Sequence, residues 1–501
     1  MEMGEQVNGM VLEEDFQLGK IIIPLIAIIT GVFMVVLDGT AMNVALQTLV
    51  KDFDTKLSTL QWTVTGYMLA QAAVIPLAGW LSDRFGAKKV FLTAIGFFTF
   101  GSVLCATANS SELLITFRVI QGLGGGFVLP VAMAYVYRLS PPSKVGMVMG
   151  IMGIPVLFAP AIGPVLSGWL VEFHSWHWIF LINLPIGIIS ILIGIFSLPK
   201  VEQTSVGKVD MLGMILAPLA FASLSYGINQ GTQSWTSVET LTGIIVGIIA
   251  LLVFIIVELK VNNPLLELRV FRSLDFSLGI IVQWVGQFAL YGAIFLLPQF
   301  LQQVRGFEPF DTGKILLPQA IASGIIMPIG GYLFDKIGAR WLVVIGLGLV
   351  SGAIFQYSHV DTTTVGSDLI FPLMMAGAGT GLMIMPLNTH LMNTAPRHLV
   401  SRVTSLTNAF QQIINSISVS LLVTILTSKT TDNMKELQEK AASSHSVVQT
   451  DPSMIKKVIT EASASAFSDT FKIMLFIAIG GAILGLVLRR SRPSDGEKTE
   501  I

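Results

Sequence analysis

The stretch that decides the fold occurs twice, as GWLSDRFGAKK at residues 79–89 and as GYLFDKIGAR at residues 331–340. Glycine, leucine, aspartate, glycine and alanine coincide in the two copies, and basic residues stand opposite basic residues. The copies begin 252 positions apart, at residues 79 and 331. Each copy is a short polar connection between two apolar segments. An internal repeat of this kind indicates two structurally related halves within one chain.

The chain around these copies has the composition of a membrane protein. Of its 501 residues, 53% are hydrophobic and only 12% are charged, which is too little charge to cover a soluble protein of this size. The 30 basic residues are balanced by 31 acidic ones, which argues against nucleic acid as a partner. The single cysteine, Cys105, excludes a disulfide framework and a cysteine-based metal site within one chain.

Apolar runs of about 20 residues, the length that a helix needs to cross the hydrocarbon, recur along the whole chain. The sequence predicts fourteen such helices, with approximate limits 20–46, 59–81, 89–108, 112–138, 144–171, 177–198, 210–229, 240–259, 274–301, 312–334, 340–358, 367–393, 402–427 and 468–489. The two copies of the repeated stretch are then eight helices apart. We therefore expect an all-α integral membrane protein of two parallel six-helix bundles and one inserted helix pair, as in one large class of secondary transporters.

These helices divide the chain into five parts. They are an N-terminal tail over 1–19, a six-helix bundle over 20–198, two inserted helices with linkers over 199–273, a second six-helix bundle over 274–489 and a tail over 490–501. The second bundle includes a polar insertion over 428–467, which we expect to form a small helical cap outside the membrane.

Basic residues predict the orientation. Nineteen lysines and arginines fall in the tails and connections on one side, against four on the other, namely Lys51, Lys56, Arg305 and Lys314. The insertion over 428–467 is not counted, because long loops translocate with little regard to charge. Both termini are therefore expected in the cytoplasm. The polar, acidic residues 1–18 do not have the pattern of a cleavable signal peptide.

The repeated stretch has the properties of a gate between the two halves. Glycine permits close helix packing, and Asp83 can meet an arginine or a helix N-terminus across the cytoplasmic seam. Such a contact forms in one state of a transporter and breaks in the other. The alternative is a generic turn whose positive charge only sets the topology. The candidate gate residues are Gly79, Asp83, Arg84, Gly86, Lys88, Lys89, Gly331, Asp335, Lys336, Gly338 and Arg340.

Asp38 lies in the sequence VVLDGTAMNVAL at residues 35–46, well inside the first predicted helix. A carboxylate at that depth costs about 2.5–3.5 kcal/mol, so such a residue usually faces a cavity and carries function. Desolvation favours its neutral form, which suits the uptake and release of protons. The alternative is a structural acid that Thr40, Asn43 or a neighbouring helix satisfies.

Arg118 is the second charge inside a predicted span. It shares one helix face with Gln121, Gly122 and Gly125. A lone arginine in hydrocarbon is as costly as a lone acid, so we expect it to face polar partners, and we treat Asp38 and Arg118 as a working pair. The alternative is an arginine that binds backbone carbonyls and locks the first bundle.

A stripe of small residues and prolines follows one face of the fifth predicted helix. Small residues let helix backbones approach closely, and prolines bend the helix. A plain packing stripe is the alternative to a functional motif, and both can hold together. The residues singled out are Gly153, Pro160, Gly163, Pro164 and Gly168.

Uncharged polar side chains form two stripes in the second half, which has no acid deep in a span. One stripe repeats every four residues beside a tryptophan, and the other follows the spacing i, i+3, i+4, i+7. Amides and aromatic rings suit large amphipathic substrates. The alternative is hydrogen bonding between helices, worth about 1 kcal/mol. The candidate substrate-cavity residues are Asn43, Tyr67, Gln121, Gln283, Trp284, Gln287, Tyr291, Asn408, Gln411, Gln412 and Asn415.

Four motifs resemble those of the major facilitator superfamily and, within it, the fourteen-helix drug:proton antiporters of the EmrB/QacA type. They are the loop at 79–89, LDGTAMNVAL at 37–46, RVIQG at 118–122 and WHWIFLINLPIG at 176–187. Gln47 stands where proline is common in this branch, and His177 where arginine is usual. The resemblance covers all fourteen predicted helices. It is specific for the family and weak for the substrate.

The resemblance implies a proton-coupled secondary exporter of amphipathic drugs or toxic organic compounds. Such a protein works by alternating access, as a monomer in a bacterial plasma membrane. The resemblance also implies that Arg118 aids proton transfer near Asp38. It implies that APAIGP at 159–164, with Gly168, is the motif associated with antiporters. Relatives that hold dications carry acids in the penultimate helix, where this chain has amides, so a strict preference for doubly charged cations is not expected.

Other function classes find less support in the sequence. It contains no Walker motif, glycine-rich nucleotide loop or zinc-ligand spacing, so we expect neither an enzyme nor ATP-driven transport, and no cofactor besides the coupling protons. The expected partners are a small amphipathic substrate and the lipid bilayer. Two alternatives stay open: an exporter of lipids or lipid-linked metabolites on the same fold, and a non-transporting receptor that binds through 428–467.

Overall fold

The structure is a computed structural model that describes residues 18–199, 210–231, 233–261, 263–396, 399–443 and 452–488. These residues form α-helices and short 3-10 helices, and no strand occurs among them. The expectation of an all-α protein is confirmed. The helices are α1 (Leu18–Asp52), α2 (Leu57–Val74), α3 (Ala78–Phe85), α4 (Ala87–Ala106), α5 (Ser111–Leu139), α6 (Val145–Phe173), α7 (His177–Leu181), α8 (Asn183–Ser197), α9 (Met211–Gln230), α10 (Val238–Lys260), α11 (Leu274–Gln303), α12 (Pro309–Ile337), α13 (Ala339–Tyr357), α14 (Ile370–Asn393), α15 (Val400–Ser443) and α16 (Pro452–Gly485).

Thirteen segments of the described chain are long and apolar enough to cross a membrane. Helix α6 adds one more as a pair, Val145–Pro160 and Val165–Phe173, bent by 42°, which makes the fourteen spans that the sequence predicts. Proline cannot donate the backbone hydrogen bond of a helix and clashes with the preceding turn, so the prolines at 160 and 164 account for the bend between the two parts. The second span is interrupted in the same way by a 3-10 turn at Pro76, between α2 and α3.

Two spans are longer than the sequence predicts. Helix α15 continues to Ser443 and α16 already begins at Pro452, while residues 444–451 lie outside the described residues. The apolar signal ends near residue 427, but strong helix formers such as Lys-Glu-Leu-Gln-Glu-Lys at 435–440 carry the helix onward. The described parts of the segment, 428–443 and 452–467, are therefore extensions of two membrane helices instead of the separate cap that we expected.

The helices form two bundles and an inserted pair. In the first bundle α1 packs on α6 and α8, and α4 packs on α5; in the second α12 packs on α14, and α13 on α16. In the inserted pair α10 packs on α9, and α9 packs on α2 and α15, one helix from each bundle. Trp62 stacks on Tyr226 with ring centroids 5.9 Å apart, and Trp235 Nε1 donates to Thr424 Oγ1 at 2.6 Å. The pair therefore covers one side of the junction between the bundles.

The bundles meet along two seams. At the first, α6 packs on α12, and a Cβ on Gly146 would lie 2.5 Å from the carbonyl oxygen of Gly331. At the second, α3 packs on α15, and a Cβ on Gly79 would lie 2.6 Å from the carbonyl oxygen of Ser401. Only glycine permits backbones to approach this closely. Both contacts lie at the end of the molecule that bears the two repeated loops, which we call the loop end.

Candidate functional site

Asp38 of α1 accepts three hydrogen bonds in the interior of the first bundle. Its Oδ2 accepts from Arg118 Nη1 at 2.6 Å, and its Oδ1 accepts from Gln121 Nε2 at 3.0 Å and Asn183 Nδ2 at 2.8 Å. The side chains of Asp38 and Arg118 have no exposed surface. A carboxylate removed from water needs such partners, because an unpaired buried charge is very costly. All three partners are donors, which is the geometry that suits the ionised acid.

Arg118 of α5 is held from several sides. Its Nε donates to the carbonyl oxygen of Thr63 at 3.1 Å, and its Nη1 also donates to Gln121 Oε1 at 2.7 Å. The guanidinium carbon lies 3.9 Å from the ring centroid of Tyr67, a cation–π contact. The structure therefore brings Asp38 and Arg118 together as the sequence predicts. It also places Gln121 and Tyr67, which we had assigned to the substrate cavity, in the shell of this ion pair.

Two residues that the sequence did not single out complete the site. Asn183, the first residue of α8, donates a second hydrogen bond from Nδ2 to Ser102 Oγ at 2.9 Å. Ser102 donates in turn to the carbonyl oxygen of Phe180 at 2.9 Å, and both polar side chains are fully buried. An amide inside the stretch 176–187 was the available signal for Asn183. Ser102 offered none, because serine is common in membrane helices.

Helix α6 connects this site with the first seam. A Cβ on Gly163 would collide with the side chain of Thr40, two residues beyond the buried acid. A Cβ on Gly153 would collide with Met327 of α12. Two glycines of the predicted stripe therefore allow close contacts on both sides of α6. The other members of the stripe are Pro160 and Gly168, which are half-buried, and Pro164, whose side chain lies outside the described residues.

Asp83, in the first copy of the repeated loop, joins the bundles at the second seam. Its Oδ1 accepts from Arg138 Nη2 of α5 at 2.9 Å, and its Oδ2 accepts from Arg402 Nε of α15 at 3.3 Å. Asp83 is only 1% exposed, so solvent and salt screen these ion pairs less than they screen surface pairs. Close by, the Tyr137 hydroxyl of α5 donates to Asn393 of α14. Charged and polar contacts thus close the second seam at the loop end.

Asp335, in the second copy, has a different kind of partner. Its Oδ1 accepts from the backbone N–H of Gly146 at 2.8 Å, and its Oδ2 accepts from that of Met147 at 3.0 Å. The first N–H groups of a helix have no partner within the helix and carry the positive end of its dipole. The sequence suggests an arginine or a helix N-terminus as the partner of the loop acid. Each copy of the loop has one of these two.

The glycines that follow these acids also match in the structure. Gly86 ends α3 with φ of 87°, and Gly338 ends α12 with φ of 77°. Glycine adopts this left-handed region without the steric cost that other residues pay. Each copy can therefore turn directly from one helix into the next.

The basic residues of the loops contact their own bundles. Lys88 Nζ donates to the carbonyl oxygens of Ile195 and Leu198, both at 2.7 Å, at the C-terminal end of α8. Lys336 lies 4.4 Å from the ring of a tyrosine one turn before it, and Arg340 lies 5.5 Å from the ring of the tryptophan that follows it. In this conformation the loop acids make the contacts across the seams. The remaining basic candidates, Arg84 and Lys89, are exposed.

The amide side chains of the second bundle enclose very little space. Gln283 Nε2 donates to Asn388 Oδ1 at 2.5 Å, and the ring centroids of Trp284 and Phe410 are 5.5 Å apart. The cavity bounded by Gln283, Gln287 and Asn388 has a volume of about 10 Å³, which is near the space that one water needs. Among the described residues, the Oε1 atoms of both glutamines have no hydrogen-bond partner. The predicted substrate cavity is therefore closed at this point.

The remaining cavity candidates lie on α1, α11 and α15. Tyr291 of α11 is 36% exposed, and Asn415 of α15 is half-buried, with no hydrogen-bond partner for its Oδ1 among the described residues. Asn408 Nδ2 donates to the carbonyl oxygen of Thr404 in its own helix at 2.8 Å. The last three candidates are Gln411 and Gln412, which are half-buried, and Asn43, whose side chain lies outside the described residues.

Comparison with known proteins agrees with this architecture. The family model described as Major Facilitator Superfamily matches residues 28–419. The chain is 37% identical to the uncharacterized MFS-type transporter YhcA of Bacillus subtilis (strain 168) over 419 residues, which are 83% of this chain and 79% of the relative. It is 31% identical to the lincomycin resistance protein LmrB of the same strain over 474 residues, 94% and 96% of the two chains. It is also 31% identical to the multidrug export protein EmrB of Escherichia coli (strain K12) over 426 residues, 84% and 83% of the two chains.

A solved structure shares the fold. The MFS proton:xylose symporter XylE bound to 6-bromo-6-deoxy-D-glucose matches with a TM-score of 0.61 and 12% identity, covering 95% of this chain and 98% of that chain. At this identity the likeness concerns the fold alone. The resemblance to the EmrB type that the motifs suggest is confirmed by the relatives. The chain belongs to the Major Facilitator Superfamily, a family of multi-pass membrane transporters and not of enzymes.

Proposed function

We propose that this transporter exports amphipathic drugs or other toxic organic compounds from a bacterial cell in exchange for protons. Two of its relatives are named for multidrug export and for lincomycin resistance, which supports the export of drugs. The observation that carries the proton half of the proposal is the ion pair of Asp38 and Arg118 in the interior of the first bundle.

Asp38 is the proton site in this proposal. An acid inside a membrane span avoids the cost of its charge either through a counter-charge or through a proton. When Asp38 is protonated, its attraction for Arg118 is lost. The guanidinium then depends on its other acceptors, which are Gln121 and the carbonyl oxygen of Thr63. The ion pair is thus an element with two states, paired and unpaired, and the protonation of Asp38 sets the equilibrium between them.

Helix α6 couples this element to the bundles. It contacts α1 through Gly163 and α12 through Gly153, so a shift of α1 around the acid presses on the helix that forms the first seam. In the proposed cycle the loop end opens to admit substrate while Asp38 is ionised. Protonation from the other side then biases the reverse swing, so substrate and proton compete through one carboxylate. A closed loop end with Asp38 paired to Arg118 corresponds in this cycle to the step before proton uptake.

The distribution of basic residues assigns the loop end to the cytoplasm in this proposal, which places both termini there as well. Substrate then enters from the cytoplasm or the inner leaflet, and protons enter from outside. The partners required are a small amphipathic substrate and the lipid bilayer. The proposal needs the coupling protons, no other cofactor and no nucleic acid, and it treats the protein as a monomer.

Proton flux in proteoliposomes tests the proposal. With a pH gradient imposed, a panel of cationic, neutral and anionic compounds should produce proton movement that depends on the compound. Asp38→Asn keeps the size of the side chain but cannot ionise, so it should abolish uphill transport while the protein stays folded and inserted. The matched control Asp361→Asn changes an exposed acid between α13 and α14 and should transport like the wild type. Undiminished uphill transport by Asp38→Asn rejects coupling through this acid.

A further inference from the structure

A second cavity, separate from the Asp38 site, lies where the inserted pair meets the second bundle. Its volume is about 370 Å³, which is within the range of pockets that hold small molecules. Its walls come from α9, α10, α15 and the connection between α10 and α11. The wall is mainly apolar, with Phe221, Leu251, Phe254, Ile255, Phe271 and Phe410 as its principal members.

Two guanidinium groups belong to this otherwise apolar wall. Arg269 and Arg272 lie on the 3-10 helix Leu268–Arg272, which leads into α11. Arg269 Nη2 donates to the carbonyl oxygen of Val261 at 3.1 Å, which fixes this side chain at the rim, and Arg272 is exposed. No acid occurs among the described residues that line the cavity. The rim therefore carries two positive charges.

Two of the three carboxylates nearby accept hydrogen bonds from backbone N–H groups. Asp210 caps α9 by accepting from the backbone N–H of Gly213 at 2.9 Å, and Glu258 accepts from that of Leu266 at 3.3 Å. Both acids are buried, as is Glu267, and none of the three lines the cavity. A positive rim on an apolar cavity attracts an anionic group and disfavours a cationic one.

The cavity has a definite depth in the membrane. It runs along α10 from Leu251 to Leu259, eight residues or about 12 Å of helix. The outer face of the same helix bears Leu252 and Ile256, which are 56% and 54% exposed, as expected for a surface against lipid. The 3-10 helix with the two arginines follows the end of α10. The charges therefore lie at the level of the headgroups, and the apolar wall reaches into the hydrocarbon.

We propose that this cavity binds one acyl chain of an anionic phospholipid, with the lipid phosphate at Arg269 and Arg272. Basic pockets between membrane helices on the cytoplasmic side bind anionic headgroups in this way. The ring of Phe410 packs against two other rings. Its centroid lies 6.1 Å from that of Phe221 in α9 and 5.5 Å from that of Trp284 in α11. A bound chain thus packs the inserted pair against the helix that bears one of the amide stripes. The site does not depend on whether Asp38 couples protons.

Native mass spectrometry of the purified full-length protein tests the headgroup. The two probes are phosphatidylglycerol and phosphatidylcholine with identical chains, and the wild type should retain the first at least tenfold better. The double substitution Arg269→Gln/Arg272→Gln should remove this preference. The control Lys144→Gln/Lys336→Gln removes the same charge at the same end of the molecule and should keep it. If both double variants preferred phosphatidylglycerol over phosphatidylcholine to the same extent, the role of the two arginines would be overturned.

A second variant tests the chain. Ile255→Trp fills the cavity and leaves both arginines in place, so it should lower the retention of phosphatidylglycerol at least fivefold. Leu251→Phe serves the same purpose if the tryptophan variant does not elute as a folded monomer. Undiminished retention by a folded cavity-filled variant would place the lipid elsewhere. Glycerol phosphate binding as tightly as the lipid would indicate a site for soluble anions and overturn the assignment.

Discussion

Asp335 of the second bundle accepts a hydrogen bond of 2.8 Å from the backbone N–H of Gly146 in the first bundle. The contact ties a carboxylate to the start of α6 across the first seam. An acid at a helix N-terminus contributes about 0.3–1 kcal/mol, and up to about 2 kcal/mol where it is partly buried. At the second seam Asp83 and Arg402 hold the bundles together through side chains. Opening the loop end requires both contacts to break, so each sets part of the balance between closed and open states.

Asp335→Asn should shift this balance toward the open loop end. The amide has no charge and only one acceptor atom, and loss of a helix cap costs about 0.5–2 kcal/mol, which corresponds to an open-to-closed ratio about 2- to 30-fold higher. The measurement is the labelling rate of a cysteine placed at Met327, which is buried at the first seam, in a Cys105→Ser background. The control Asp311→Asn breaks only an exposed pair with Lys314 at the opposite end of α12. An unchanged rate in Asp335→Asn contradicts the role of the cap.

Gly79→Ala and Gly146→Ala should each lower transport at least tenfold. A Cβ at either position would lie within 2.6 Å of a backbone carbonyl oxygen of the other bundle, so the loop end could not close as it does here. The controls are Gly348→Ala and Gly480→Ala, where a Cβ meets no atom within 4 Å. Transport in proteoliposomes is the measurement. Wild-type rates in both seam variants would show that the closed seams are not part of the cycle.

Asn183→Leu removes one of the three donors to Asp38. A hydrogen bond to a charged group contributes about 1.5–3 kcal/mol, so the free energy of unfolding in mixed micelles should fall by about that amount. The same substitution should cost less in an Asp38→Asn background, because an uncharged acceptor gains less from the donor. The control is Asn388→Leu, whose partner is Gln283 and which should show no coupling to Asp38→Asn. Strict additivity for Asn183 and Asp38 would deny an energetic link between them.

The parts of the structure that follow from strong local rules were predictable. A span needs about 20 apolar residues, so the number and order of the spans could be counted in the sequence. Asp38 and Arg118 are both costly in hydrocarbon, which predicts polar partners for each, and the family resemblance implies that the two act together. The rotation of each helix about its axis has no such signal. Gln121 and Tyr67 therefore appeared as cavity residues, although they surround the ion pair.

The remaining features depend on contacts between distant segments. Asn183 meets Asp38, and Ser102 meets Asn183, only because α4 and α8 are set at a particular height beside α1. The partner of Asp335 is a pair of backbone N–H groups, which carry no mark in the sequence. The helical extensions beyond Thr427 lack the apolar period that identified the spans. The cavity at Arg269 exists only because the inserted pair docks on α15, and composition does not encode that docking.

Helix α5 carries Arg118 in its first half and Arg138 in its last turn, twenty residues or about 30 Å apart. A continuous helix transmits a displacement along its axis with little loss. A movement of Arg118 therefore reaches Arg138 through the helix itself, without a series of side-chain contacts. Under the proposed exchange, slippage in which protons cross without cargo would require α5 itself to flex. Pro130 is the one residue between the two arginines that cannot donate its own backbone hydrogen bond. Under the proposed exchange, a bend of α5 at Pro130 would therefore weaken the mechanical link between the two arginines.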